Sequence, residues 1–280
     1  MILYSGVNNA MLDYNKNKKI FLYFIKFFII TCSYFCSNVY AVEFNLPHGV
    51  SSISRNIYDL HMTIFWLCVV IGIIVFGILI YSLIKHRRSA GHEAHDFHEN
   101  TTVEIIWTII PFIILIVMAI PATKVLKFMH DDKKPDLNVK ITGYQWRWEY
   151  EYLGDNIKYF SSLSTPQSQI HNLEQKDELY LKEVDHPLVL PINKKIRFLF
   201  TSNDVIHAWW VRDLGIKKDA IPGFINESWV RIDTPGTYYG QCAELCGVNH
   251  GYMPIVVIAK TEEDFAKWLQ EQKKPKQTKA

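Results

Sequence analysis

The sequence predicts a membrane-anchored protein in which a two-helix transmembrane hairpin is followed by an all-β external domain. Two observations carry that prediction. Two long uncharged apolar runs, 62–84 and 105–123, fall in the first half of the 280-residue chain. After Pro135 the pattern changes to short runs rich in Val, Ile, Phe and Tyr, separated by Pro, Gly, Asn and Asp. A hydrophobic content of 49% would also suit a soluble two-domain protein, but here the apolar residues are segregated instead of evenly spread.

At the N-terminus, Lys16, Lys18 and Lys19 precede an apolar run over 20–35 that is interrupted by Lys26. The segment ends in Val39-Tyr40-Ala41, a small-residue pattern of the kind signal peptidase cuts, so residues 1–41 read as a signal peptide. The alternative, an uncleaved third span, is disfavoured by Lys26 and by the short uncharged remainder. Cys32 and Cys36 follow Thr31 and Phe35, which is not the setting of a lipid-anchored cysteine.

Residues 42–61 are expected to form an external segment, and 62–126 the helix hairpin. Each uncharged run is long enough to cross about 30 Å of hydrocarbon as a helix. Core helices of soluble proteins rarely run so far without a charge. Lys85-His86-Arg87-Arg88 opens the connecting loop 85–103 and keeps it in the cytoplasm by the positive-inside rule, which leaves the rest of the chain outside. Trp66 and Trp107 fall at interface positions, and Pro111 is expected to bend the second helix.

The external domain is expected over 135–262, with strands at 138–143, 188–190, 195–201, 228–232, 237–241 and 255–259. Such spacing argues for a small sandwich or barrel. A helix and basic tail, 263–280, close the chain. Thr261 is the N-cap, Glu262, Glu263 and Asp264 complement the helix dipole, and Phe265, Trp268 and Leu269 form the apolar stripe. A net charge of +2 without a basic stripe argues against nucleic acid as a partner; Lys273, Lys274, Lys276 and Lys279 read as a solvated end.

The chemistry is concentrated in the loop 242–253. Cys242, Cys246, His250 and Met253 place two thiols, an imidazole and a thioether within twelve residues, between two predicted strands. Soft sulfur with imidazole suits copper. Zinc fits poorly, because Met is not among its usual ligands. A mononuclear copper site needs one Cys, two His and a weak Met, which Cys246, His250, Met253 and a distant His207 could supply; Cys242 is then one thiolate too many. Two thiolates can instead bridge two copper ions. The plain alternative is a Cys242–Cys246 disulfide with His250 and Met253 as unrelated loop residues.

The pattern C-x3-C-x3-H-x2-M, preceded by Asp204-Val205-Ile206-His207-Ala208-Trp209 and followed by Pro254, resembles subunit II of cytochrome c oxidase. The resemblance extends over both spans and the whole external domain. It implies a cupredoxin-like barrel in which Cys242 and Cys246 bridge two copper ions, His207 and His250 are terminal ligands, and Met253 and the carbonyl of Glu244 are weak axial donors. It further implies that the Glu244 carboxylate helps bind a magnesium ion shared with subunit I.

Trp146, in the aromatic segment 144–152, corresponds to the residue that takes the electron from cytochrome c; without the resemblance, these aromatics read as core or membrane-surface residues. Glu104 corresponds to a carboxylate at the mouth of a proton path, and otherwise reads as a snorkelling charge at a helix end. Glu151 and Asp204 correspond to acids that attract a basic cytochrome c, where electrostatic steering supplies the physical reason. The expected function is acceptance of electrons from reduced cytochrome c and delivery to haem in subunit I, for oxygen reduction to water coupled to proton pumping. Subunit I, subunit III and membrane lipid are the expected partners. The expected location is the cell inner membrane with the copper domain in the periplasm, a mitochondrial inner membrane being the alternative.

The chain departs from the family pattern at Arg212-Asp213, where many members have Pro and a small residue, and at Pro222-Gly223-Phe224, where an Arg is frequent. Neither touches an expected ligand. Other functions fit less well. A quinol oxidase subunit of this shape would lack the cysteines and histidines. A copper chaperone would have fewer buried aromatics, nitrous oxide reductase needs a large further domain, and a fused cytochrome c would carry Cys-x-x-Cys-His.

Overall fold

The computed structural model describes Lys26 and residues 45–87, 89, 91, 98–130 and 134–274. Apart from Lys26, the expected signal peptide lies outside the described residues, as do much of the loop 85–103 and the tail beyond 274.

Helix α1 (Ser52–Lys85) and helix α2 (Thr101–Met129) form the hairpin. At 34 residues, α1 is about 51 Å long and exceeds the hydrocarbon thickness by several turns. It starts ten residues before the uncharged run, so 52–61, read from sequence as external segment, is helical. Absence of charge detects only the part that must avoid water; the first turns carry Arg55, which pairs with Asp233 of the β domain.

Ser51 caps α1 through a reciprocal bond with Ser54 and donates its hydroxyl to the carbonyl of Leu214 at 2.9 Å. Ile53 is fully buried. The upper end of α1 is thus built into the β domain. Asn100 caps α2, accepting from the Val103 N–H at 3.2 Å, and α2 runs on through both Pro111 and Pro121. None of the most apolar window of either helix is buried within this chain. That surface is left for lipid or for other polypeptides.

Among the described residues, ten strands make two five-stranded sheets. They are β1 (Leu137–Tyr144), β2 (Arg147–Tyr152), β3 (Ile157–Ser161), β4 (Leu188–Pro191), β5 (Ile196–Ser202), β6 (His207–Val211), β7 (Ile216–Ala220), β8 (Asn226–Val230), β9 (Gly236–Cys242) and β10 (Pro254–Lys260). The orders are β3-β2-β1-β5-β8 and β4-β10-β9-β6-β7. Only β1 with β5 and β4 with β10 run parallel.

Alternation drives the arrangement: along β5, Ile196, Phe198, Phe200 and Ser202 are buried and the residues between them are not. Phe198 and Phe200 meet Trp209 of the opposite sheet at ring distances of 5.5 and 5.9 Å. One core therefore joins the two sheets. Gly240 lies where β9 runs antiparallel beside β6, and a Cβ there would lie 2.2 Å from the carbonyl oxygen of Trp210.

A short helix α3 (Gln167–Ile170) lies in the β3–β4 connection, and helix α4 (Glu262–Lys273) follows β10. As expected, Thr261 caps α4 and accepts from the Asp264 N–H. Phe265, Trp268 and Leu269 pack against the core. The fold is thus the expected hairpin followed by an all-β, cupredoxin-like barrel of two facing sheets.

Candidate metal centre

His207 opens β6, Cys242 ends β9, and Cys246, His250 and Met253 lie on the loop that leads into β10. The loop is held at its base by the Cys242 N–H, which donates to the Met253 carbonyl at 3.1 Å, and by the Ala243 N–H, which donates to the Ala208 carbonyl at 2.9 Å. These bonds bring the distant His207 onto the cysteine loop. His207 is fully buried, and Cys242, Cys246 and Met253 are 3%, 2% and 1% exposed.

The donor atoms form a compact cluster. His207 Nδ1 is 3.8 Å from Cys242 Sγ, the two sulfurs are 3.8 Å apart, and Cys246 Sγ is 3.5 Å from His250 Nδ1. Both thiols are free, so the disulfide alternative is not what this structure holds. Ligand atoms of His207, Cys242 and Cys246 all lie within 4.8 Å of one another. The Glu244 carbonyl accepts from Cys242 Sγ at 3.4 Å and so faces the same space. Two sulfurs with an imidazole near each, His207 beside Cys242 and His250 beside Cys246, make a donor set that fits soft, borderline metals such as copper.

Two glycines admit these groups. A Cβ on Gly143 would lie 2.7 Å from Cδ2 of His207, so only glycine in β1 leaves room for the imidazole. Gly247 has φ +115°, and a Cβ there would press on Trp146 and Gln145. Trp146 is in contact with the centre: its Nε1–H donates to the Cys246 carbonyl at 3.2 Å, and Gln145 Nε2 donates to the same oxygen at 2.9 Å. Trp148, fully buried, stands edge to face with His207 at 5.9 Å.

Ionisation is coupled across the group. Burial opposes a charged Cys242, but bonds from His207 and backbone groups outweigh it and lower the thiol's pKa. Burial and the neighbouring Cys242 thiolate push Cys246 up. Burial lowers His207, yet its bonds to Cys242 and Asp204 leave its pKa raised. Ionisation of Cys242 is thus favoured over that of Cys246, and a bound cation would favour both thiolates.

The remaining expected residues are spread out. Asp204 accepts from Nε2 of His207 at 2.9 Å. Glu244 carries an exposed side chain on the loop. Glu151 lies on β2, about 16 Å along the strand from Trp146 at strand rise, with Lys140 at 3.9 Å. Glu104 lies in the first turn of α2. Sequence reasoning missed Gln145, Gly143, Gly247 and the Asp204–His207 bond; the last was visible as an acid three residues before a histidine.

A membrane-crossing hairpin that carries a buried His-Cys-Cys group on a cupredoxin-like barrel defines a membrane-anchored metal-binding module. Two family models match: "Cytochrome C oxidase subunit II, transmembrane domain" over residues 39–125 and "Cytochrome C oxidase subunit II, periplasmic domain" over residues 137–260. The "Probable cytochrome c oxidase subunit 2" of Rickettsia conorii is 36% identical over 266 residues, 95% of this chain and 83% of the relative. The "Cytochrome c oxidase subunit 2" of Ctenocephalides felis is 37% identical over 228 residues, 81% of this chain and 96% of the relative. The crystal structure of the periplasmic domain of subunit II of cytochrome oxidase of Bradyrhizobium japonicum is 39% identical, covering 50% of this chain and 96% of that one, with a TM-score of 0.45.

The chain belongs to the cytochrome c oxidase subunit II family. It is a membrane-anchored subunit of a cytochrome c oxidase.

Proposed function

We propose that this chain receives electrons from reduced cytochrome c at a binuclear copper centre and passes them to haem in subunit I, where oxygen is reduced to water and protons are pumped. The buried cluster of His207, Cys242 and Cys246, with His250 beside Cys246, is the observation that carries the reading. Each thiolate would be shared between two ions, with His207 and His250 as terminal ligands and Met253 and the Glu244 carbonyl as weak axial donors. When bound, copper in this setting supplies a one-electron site whose electron is shared over both metals.

The protein's own residues do the rest. The two sheets exclude water from His207 and the thiols, so little solvent needs to reorganise when charge changes. Trp146 is half-buried and bonds to the Cys246 carbonyl, which supports it as the residue through which an electron comes in. Exposed apolar side chains, Leu245 at 78% and Val248 at 86%, extend from the same loop and suit contact with another protein.

The finer assignments follow from this reading. Glu244 is free to share a magnesium ion with subunit I. Glu104, in the first turn of α2, would serve a proton path at the cytoplasmic side, and Glu151 and Asp204 would contribute negative potential toward a basic cytochrome c. The copper domain would lie in the periplasm of a cell inner membrane, with residues 1–41 as signal peptide and subunit III beside subunit I.

Trp146→Leu tests the path. With reduced cytochrome c as donor, stopped-flow reduction of the copper-loaded full chain is expected to slow by about tenfold or more, or about 1.4 kcal/mol of barrier. Copper content and reduction by a small soluble donor should not change. Equal slowing with both donors would mean that Trp146 only supports the loop.

A further inference from the structure

We propose that Asp204 is a positioning residue: its carboxylate fixes the tautomer and ring orientation of His207 and, with its other oxygen, holds the peptide that leads into Trp146. The inference rests on the reading of the centre as a copper site, but the bonds that carry it are the chain's own.

Asp204 Oδ1 accepts from His207 Nε2 at 2.9 Å and from the Val205 N–H at 2.7 Å. Oδ2 accepts from the Gln145 N–H at 2.7 Å. The Ser202 hydroxyl stands 3.3 Å from Oδ1. Both oxygens are therefore engaged within the chain. The side chain is 28% exposed, against 0% for His207.

A buried imidazole has two nitrogens to satisfy, and an unpaired one costs about 1–3 kcal/mol. Asp204 accepts the Nε2 proton, so Nδ1, 3.8 Å from Cys242, is the nitrogen left to bind a metal, which displaces any proton it carries. Without that acceptor the ring could rotate or shift its Nε2 proton, and Nδ1 would no longer be held toward the thiols. Carboxylate-bonded histidines at metal sites work in this way, and loss of such a partner commonly costs about ten- to hundredfold in metal affinity.

The bond to Gln145 adds a second constraint. Gln145 and Trp146 both donate to the Cys246 carbonyl. One carboxylate thus ties a terminal ligand on β6, the start of β2 and the cysteine loop into a single frame. His250 has no comparable anchor among the described bonds; its Nδ1 faces Cys246 and nothing is shown for Nε2.

The test uses the full chain in detergent with nitrogen-15-labelled histidine. In the metal-free protein, His207 is expected to show an Nε2-protonated ring. In Asp204→Ala that signature should be lost and copper affinity should fall about ten- to hundredfold. Asp204→Asn retains one acceptor and should fall between the two in both measurements. Asp204→Ser replaces the alanine variant if the latter does not fold.

A wild-type tautomer and affinity in the folded alanine or serine variant would overturn the proposal. The expected tautomer in wild type, lost in the variant, with no copper bound by either, would leave Asp204 as the positioning residue and remove the copper reading instead.

Discussion

Cys242→Ser is expected to reduce the copper held by the full chain from two ions to one and to convert a shared-electron resonance into that of an isolated copper ion. Cys242 contacts both of its neighbours in the cluster, at 3.8 Å from His207 and 3.8 Å from Cys246. A serine hydroxyl is a hard oxygen that keeps its proton at neutral pH, so it cannot bridge soft ions. Cys246, His250 and Met253 would remain as a mononuclear set, and His207 would lose the neighbour it faces. The fold should survive, because the substitution removes no core volume of consequence and the Cys242 backbone bond to Met253 is kept. Copper analysis with electron paramagnetic resonance reads the outcome. An unchanged two-ion resonance in the variant would mean that the second sulfur is not a bridge.

The second large effect concerns the scaffold. Trp209→Ala is expected to destabilise the external domain by about 3–5 kcal/mol, the usual cost of emptying a buried Trp position. Trp209 is fully buried between Phe198 and Phe200, and its indole N–H reaches the Tyr150 hydroxyl at 3.5 Å. Its Cα partner in the adjoining strand is Cys242, so the cavity would open directly beneath the metal loop. Since a domain holds only about 5–15 kcal/mol in total, the variant should melt on the order of 10 °C lower and retain copper poorly. Val248→Ala, at a side chain 86% exposed, serves as control and should change stability by less than about 0.5 kcal/mol. Equal melting of the two variants would show that the sheets do not depend on this core.

The spans were legible because lipid imposes a long uncharged run, but that same rule hid the first ten residues of α1, which carry Arg55 and are anchored by Ser51 and Ile53 to the β domain. Strands β1, β4, β5, β8, β9 and β10 were found from their apolar runs. β7 was missed because Lys217, Lys218 and Asp219 fill its centre, and β2 because its alternation is of aromatic and charged residues, with Glu149 buried beside Lys158 at 3.0 Å. β6 was legible only as the neighbourhood of His207.

The donors themselves could be read from spacing within the loop. Their supports could not: Gly143 and Gly247 are defined by contacts across the sheets, and Gln145 meets Cys246 over a separation of 101 residues. Asp204 shows how resemblance and geometry pull on one residue. As an acid near the surface it reads as a docking charge, whereas its bonds to His207 and Gln145 turn it inward.

The most direct test of the copper assignment is the metal content and paramagnetic resonance of the wild-type full chain after copper loading and removal of loose ions. Two copper ions per chain sharing one unpaired electron is the predicted result. A single copper per chain with an isolated-ion spectrum would contradict it and favour a mononuclear site built on Cys246, His250 and Met253.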